Sequence, residues 1–152
     1  MPEALCGFND QPGMSGAHAL AYFGPTLLVS VGFDPDYKAG GSCIPTAAIT
    51  GMQALVDTGA AQCCIDGSLA MQLNLPIVDH QTISGATGPK VVNMHLAQVH
   101  IAALNCTIYG AFAAVDLAAG GQQHHVLLGR TFLQLFTMVY EGTTGTVAIR
   151  SA

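Results

Sequence analysis

Charge is scarce in this sequence: Asp, Glu, Lys and Arg together supply 9% of 152 residues. Only four residues are basic, Lys38, Lys90, Arg130 and Arg150, and they are scattered singly. No surface built from them could neutralise a run of phosphates, so nucleic acid is not expected as a partner. Uninterrupted apolar runs are lacking too. The charge-free stretches 11–33 and 91–115 are broken by His, Gln, Asn, Gly and Pro, and no stable membrane span is expected. The first 16 residues have neither the basic start nor the continuous apolar core of a secretory signal, which points to a cytoplasmic location. Tryptophan is absent, and the five cysteines, an odd count with Cys63 and Cys64 adjacent, show no CxxC spacing. Reduced thiols are expected, with no metal and no cofactor.

Glycine (18 copies) and β-branched residues are plentiful, and this mixture favours short strands joined by turns. The length suits one domain. A positive mean hydropathy of +0.46 with so little charge implies that a second subunit covers some apolar surface. Residues 1–24 have no periodicity and read as a flexible N-terminal arm, leaving 25–152 as the domain. Strict alternation over 26–33 places Leu27, Val29, Val31 and Phe33 on one face of a half-buried strand. Residues 34–50 form an unusually long loop.

An apolar run at 52–56 enters Asp57-Thr58-Gly59-Ala60. Asp66 then caps a short helix over 67–74, with Leu69 and Leu73 one turn apart and Pro76 beyond its end. Residues 78–84 and 91–101 form a long hairpin around the turn 85–89. The apolar phase shifts from Met94 and Leu96 to Val99 and Ile101, which predicts a bulge near Ala97. A strand pair is expected over 106–114. A second apolar strand, 126–128, ends in Gly129 and Arg130 and leads into a helical turn, and a hairpin of 138–140 with 146–149 closes the chain. No repeat is evident beyond this echo, an apolar strand ending twice in a glycine-containing turn.

A carboxylate directly after a buried strand costs free energy unless it is solvated, shared or hydrogen-bonded. Asp57 occupies such a position. Thr58 sets a hydroxyl beside it and Gly59 lets backbone approach. On these residues alone two readings stand, an Asx-type turn between strands or a catalytic acid. The competing candidates are poorer. His124 and His125 are neighbours with no third ligand, which fits a surface or loop role. Cys63 and Cys64 have no paired His and read as buried, inert thiols. Asp116 lacks the following Thr-Gly.

Three pieces occur in order: the apolar strand entering Asp57-Thr58-Gly59-Ala60, the glycine-bearing turn Ser84-Gly85-Ala86-Thr87-Gly88, and Leu127-Leu128-Gly129-Arg130 before a short helix. In this the chain resembles the retropepsin-like aspartic proteases over roughly residues 25–150. Its closing hairpin is most similar to the bacterial and DNA-damage-inducible single-lobe, homodimeric members. The resemblance implies an all-β fold, a closed acid-protease barrel with one or two short helices, paired in a twofold homodimer. It implies an aspartic endopeptidase in which Asp57 and its mate activate water, Thr58 braces the two loops, and Gly59 contacts substrate backbone. Ala60, Ala61, Ser84, Gly85, Ala86, Thr87 and Gly88 would bind a peptide or protein substrate, the last five as a flap. Leu128, Gly129 and Arg130 would support the site.

The sequence departs from that pattern at Ala61. Viral members carry an acid there, which pairs with the Arg of Leu-Leu-Gly-Arg, and here Arg130 must find another partner in Gln62, Asp66 or a second subunit. The same departure keeps an alternative alive, a dimeric peptide-binding module with weak or no turnover.

Overall fold

The structure is a computed structural model and describes residues 2–85 and 88–151. It is mostly β, with short helices. Strand β1 (Glu3–Leu5), helix α1 (Gly16–Phe23), β2 (Thr26–Gly32) and β3 (Ile49–Val56) come first. They are followed by β4 (Cys64–Asp66), helix α2 (Gly67–Gln72), β5 (Ile77–Gly85) and β6 (Gly88–Ile101). After a single 3-10 turn at Ala102–Leu104 come β7 (Cys106–Val115), β8 (Val126–Leu128), helix α3 (Arg130–Leu133), β9 (Phe136–Glu141) and β10 (Thr146–Ser151). No helix among the described residues is long and apolar enough to cross a membrane.

Seven strands share one sheet in the order β2-β3-β8-β4-β7-β6-β5, and β2 also pairs with β6, so six of them return on themselves. A separate antiparallel sheet, β1-β10-β9, joins the two ends of the chain. Leu27, Val29 and Val31 are buried as their alternation requires, and they share one core with Val56, Ile65, Val99, Ile101, Phe112 and Leu128. Phe33 departs from the series at 37% exposed, because β2 ends at Gly32. The β2–β3 register slips once: two residues of β3, Thr50 and Gly51, stand between the pairs Val31↔Ile49 and Val29↔Met52 where β2 has only Ser30, and Gly51 takes φ +69° there.

The segment read as a flexible arm carries β1 and α1. Ala4 pairs with Ile149, Cys6 donates its N–H to the Val147 carbonyl at 3.0 Å, and the Cys6 carbonyl accepts from Thr26 at 2.9 Å. Ser15 caps α1 by accepting from the His18 N–H, and Leu20 is 1% exposed in the main core. Periodicity failed as a signal here because the buried positions are small residues, Ala4, Cys6, Gly16 and Ala19, with one Leu.

Two further expectations need correction. Residues 106–115 form one strand rather than a pair, pivoting at Gly110 with φ +124° while the β6–β7 register runs unbroken from Met94↔Ala113 to Ile101↔Cys106. That unbroken register also excludes a bulge at Ala97. The phase change in β6 arises because the covered face changes. Val92 and Met94 point into a small cluster with Ala113, Cys64 and Ile83, whereas Ala97, Val99 and Ile101 point into the main core on the other face. The irregularity lies across the ladder in β5, between Ile77 and Asp79.

Asp66 caps α2 as expected, and its 2% exposure shows a larger role. One carboxylate oxygen accepts from the Ser68 hydroxyl at 2.6 Å and the Leu69 N–H at 3.3 Å. The other accepts from the Leu117 and Ala118 N–H groups at 3.0 and 3.1 Å, pinning the loop after β7. Burial by itself would raise its pKa, but the bonds from Ser68, Ala118, Leu117 and Leu69 together outweigh it and hold the carboxyl below its ordinary value. Its stabilisation is therefore fully present above the unfolded carboxyl value of about 4 and is lost as pH falls through the depressed folded one. We expect Asp66→Ala, which strands buried N–H groups, to cost about 2–4 kcal/mol at pH 7. Urea unfolding from neutral to acid pH checks this: the gap between wild type and Asp66→Ala should narrow on acidification, and a gap independent of pH would contradict the assignment.

Candidate active site

The echo between the two apolar strands has a geometric meaning. β3 and β8 lie side by side in parallel, with Val56 beside Leu128, and β4 returns antiparallel on the other flank of β8, with Cys64 beside Leu127. The loop 57–63 must therefore cross over the end of β8. Gly129 is the crossing point: a Cβ there would stand 2.5 Å from the Gln62 carbonyl oxygen and 2.7 Å from that of Ala60. Backbone bonds lock the crossing, from Asp57 N–H to the Leu128 carbonyl at 2.9 Å, from Arg130 N–H to Ala60 at 2.8 Å and from Thr131 N–H to Ala61 at 3.1 Å.

This framework holds Asp57 at the mouth of the crossing, half-buried. Its Oδ1 accepts the Gly59 N–H at 2.8 Å, the Asx turn that the residues alone allowed. Its Oδ2 has no hydrogen-bond partner among the described residues. Thr58 and Gly59 are exposed beside it.

Arg130 is exposed and donates from Nη1 to the Thr58 carbonyl at 2.8 Å, bracing the loop that carries Asp57. Neither Gln62 nor Asp66 takes it; Asp66 is engaged elsewhere, and the guanidinium finds a backbone carbonyl where the family pattern has an acid.

A cleft of about 380 Å³ runs from this loop to the hairpin formed by β5 and β6. Gly59, Ala60, Ala61 and Arg130 line one side, and Ser84 lines the hairpin side. Gly85 pairs with Gly88, which has φ +105°, at the hairpin's end; Ala86 and Thr87, expected at its tip, lie outside the described residues. Sequence reasoning missed Gln62, Cys64, Thr82, Ile83 and Ala113 in the lining. Cys64 and Ile83 pack against the small cluster of Val92, Met94 and Ala113, and only strand pairing, Cys64 beside Ala113 and β5 beside β6, brings them together.

A family model for gag-polyprotein putative aspartyl protease matches residues 49–135, more than half of the chain. The chain belongs to this aspartyl protease family. No curated protein matches it. The match begins with β3 and ends just beyond α3, so it contains the crossing, the hairpin and every lining residue of the cleft.

The rival groups are disarmed by their surroundings. Burial, then the neighbouring Cys63, then the charge of Asp57 push the Cys64 thiol up to about 11, so it is protonated at neutral pH. His124, expected at a surface or in a loop, lies in the loop before β8 and is wholly buried there. Thr26 Oγ1 donates to the Gly24 carbonyl, so His124 Nε2–H donates to Thr26 at 2.7 Å while Nδ1 accepts from Gln122 at 2.6 Å. Burial, and secondarily His125, lower its pKa and keep it neutral. Among the described residues no three His, Cys, Asp or Glu side chains gather as a metal site.

If Gly129 is the crossing point, Gly129→Ala should displace the loop rather than be absorbed, because both obstructing atoms are backbone oxygens. The expected loss is about 2–4 kcal/mol, against under about 1 kcal/mol for Gly142→Ala on the closing hairpin. Thermal melts of the two variants decide it, and equal small shifts would refute the crossing.

Proposed function

We propose that the chain is an aspartic endopeptidase that works as a twofold dimer, with Asp57 of each subunit meeting at the axis. The observation that carries this reading is a half-buried carboxylate two residues before the cleft lining begins at Gly59, held by one backbone N–H and with its other oxygen unpartnered among the described residues. Hydrolysis of an amide needs one carboxylate to take a proton from water and another to give one to the scissile carbonyl. The chain has one Asp-Thr-Gly, so the second acid must come from a second copy. Two carboxylates so placed share one proton, and their titration belongs to the pair.

In this reading the six mutually paired strands form the closed barrel of each subunit, and Thr58, exposed at the loop's tip, braces its counterpart. The substrate lies extended in the cleft, hydrogen-bonded along its backbone to Gly59, Ala60 and Ala61 on one side and to Ser84 and Gly85 on the other. The β5–β6 hairpin, with Gly85 paired to Gly88, closes over it as a flap. Leu128, Gly129 and Arg130 hold the loop in place. Five free thiols fit a reducing compartment such as the cytoplasm.

A second reading is favoured by one observation: Ala61 removes an acid that would grip substrate backbone, so the fold could bind peptides in a dimer without turnover. Cleavage of a peptide library from about pH 3 to 7, the span of carboxyl titration, separates the two. The wild type should cleave and Asp57→Asn should not, with the thermal midpoint of the variant equal or higher because like charges no longer meet. Binding without cleavage at any pH would leave the peptide-binding module. Sedimentation across a dilution series should show dimers, and a strict monomer with and without peptide would end the symmetric mechanism.

A further inference from the structure

Two of the chain's four basic side chains are paired. Lys90 pairs with Asp116 at 2.8 Å, and Arg150 lies 3.8 Å from Glu3. Lys38 and Arg130 differ: among the described residues no carboxylate oxygen lies within ion-pair distance of either, and of the two only Arg130 lines the cleft. A guanidinium has five N–H donors, and the Thr58 carbonyl uses Nη1. The remaining donors belong to a side chain that lines the cleft, exposed and tethered.

The rest of the lining is neutral. Gln62, Thr82 and Ser84 are polar without charge, and Cys64, Ile83 and Ala113 are apolar. Arg130 is thus the one cation among the lining residues, in a partly enclosed space where a charge interacts more strongly than in open water. A planar guanidinium with a free edge matches a carboxylate with two parallel hydrogen bonds.

We propose that Arg130 makes this a carboxylate-reading cleft, and that preferred peptides place one carboxylate against it. This rests on the reading of the cleft beside the Asp57 loop as a peptide site, and it names the class of peptide. The carboxylate has two sources, an Asp or Glu side chain or the peptide's own C-terminus. The net charge of -5 makes the idea discriminating, because the protein as a whole repels acidic peptides and only a local cation would reverse that.

The test uses the full chain carrying Asp57→Asn, so that peptides bind without being cut, with fluorescence anisotropy as the readout. One set of amidated peptides exchanges Glu for Gln position by position, and a second neutral set compares free acid with amide. We expect Glu over Gln at one position, or acid over amide, by on the order of tenfold, falling as salt is raised. Adding Arg130→Gln should bring that ratio to about one, and adding Arg130→Lys should reduce it without abolishing it. If Arg130→Gln does not fold, Arg130→Lys decides, since an undiminished ratio there overturns the proposal. No preference in either set, no binding of any carboxylate peptide, or a ratio indifferent to Arg130 likewise overturns it. Cleavage by the chain with Asp57 intact is scored separately: binding preference without cleavage defeats the protease reading alone, and cleavage without preference defeats this inference alone.

Discussion

The passage of the loop 57–63 over the end of β8 is the constraint on which the rest depends. A parallel neighbour on one side and an antiparallel neighbour on the other leave the chain no route but across Gly129. Once it crosses, the carbonyls of Ala60 and Ala61 face the first two N–H groups after Gly129, which a helix start leaves unpaired, and each is satisfied by the other. The strand end, the helix start and the Asp57 loop therefore close as one unit. Arg130 adds a third tie through its side chain to Thr58. The site is positioned by backbone geometry more than by side-chain packing, which suits a loop whose own residues are Asp, Thr, Gly and Ala.

Much of this was legible in the sequence because it obeyed local rules. Alternation fixed the inward face of β2, a carboxylate before an apolar turn marked the cap at Asp66, and glycines bracketed the hairpin. The rest required tertiary information. Small residues bury the first segment without leaving a hydrophobic stripe, so Ala4 and Cys6 gave no signal. Gly110 looks like a turn in one dimension and acts as a pivot inside a strand once β6 supplies a continuous partner. β6 changed phase because it leaves one buried environment for another, and a single strand cannot reveal which face its neighbours will cover. The candidate site was visible as a motif, but its far wall, from Thr82 to Ile83 and Ala113, exists only through pairing.

Buried polar side chains do for the long loops what the crossing does for the site. Gln98, 7% exposed in β6, accepts from the Asp34 N–H at 2.6 Å and donates to the Asp34 carbonyl at 3.1 Å, so a strand residue supplies both bonds that the start of the long loop lacks. Asp34 in turn accepts from the Thr46 and Asp36 N–H groups at 2.9 Å each, gathering the loop's two ends. His95 Nδ1–H donates to the Leu75 carbonyl at 2.9 Å and fixes the chain after α2. None of these needs a charge partner, which is how a protein with so few charged residues anchors its irregular segments.

The same economy sets the protonation of the thiol that lines the cleft. Cys64 and Asp57 sit near enough for the carboxylate to oppose ionisation of the thiol, and burial and Cys63 push the same way. A thiol so raised has almost no thiolate at neutral pH, and no histidine pairs with it to draw the proton off. Burial contributes most to that shift, Cys63 next and Asp57 least, so neutralising Asp57 alone would still leave the thiol raised.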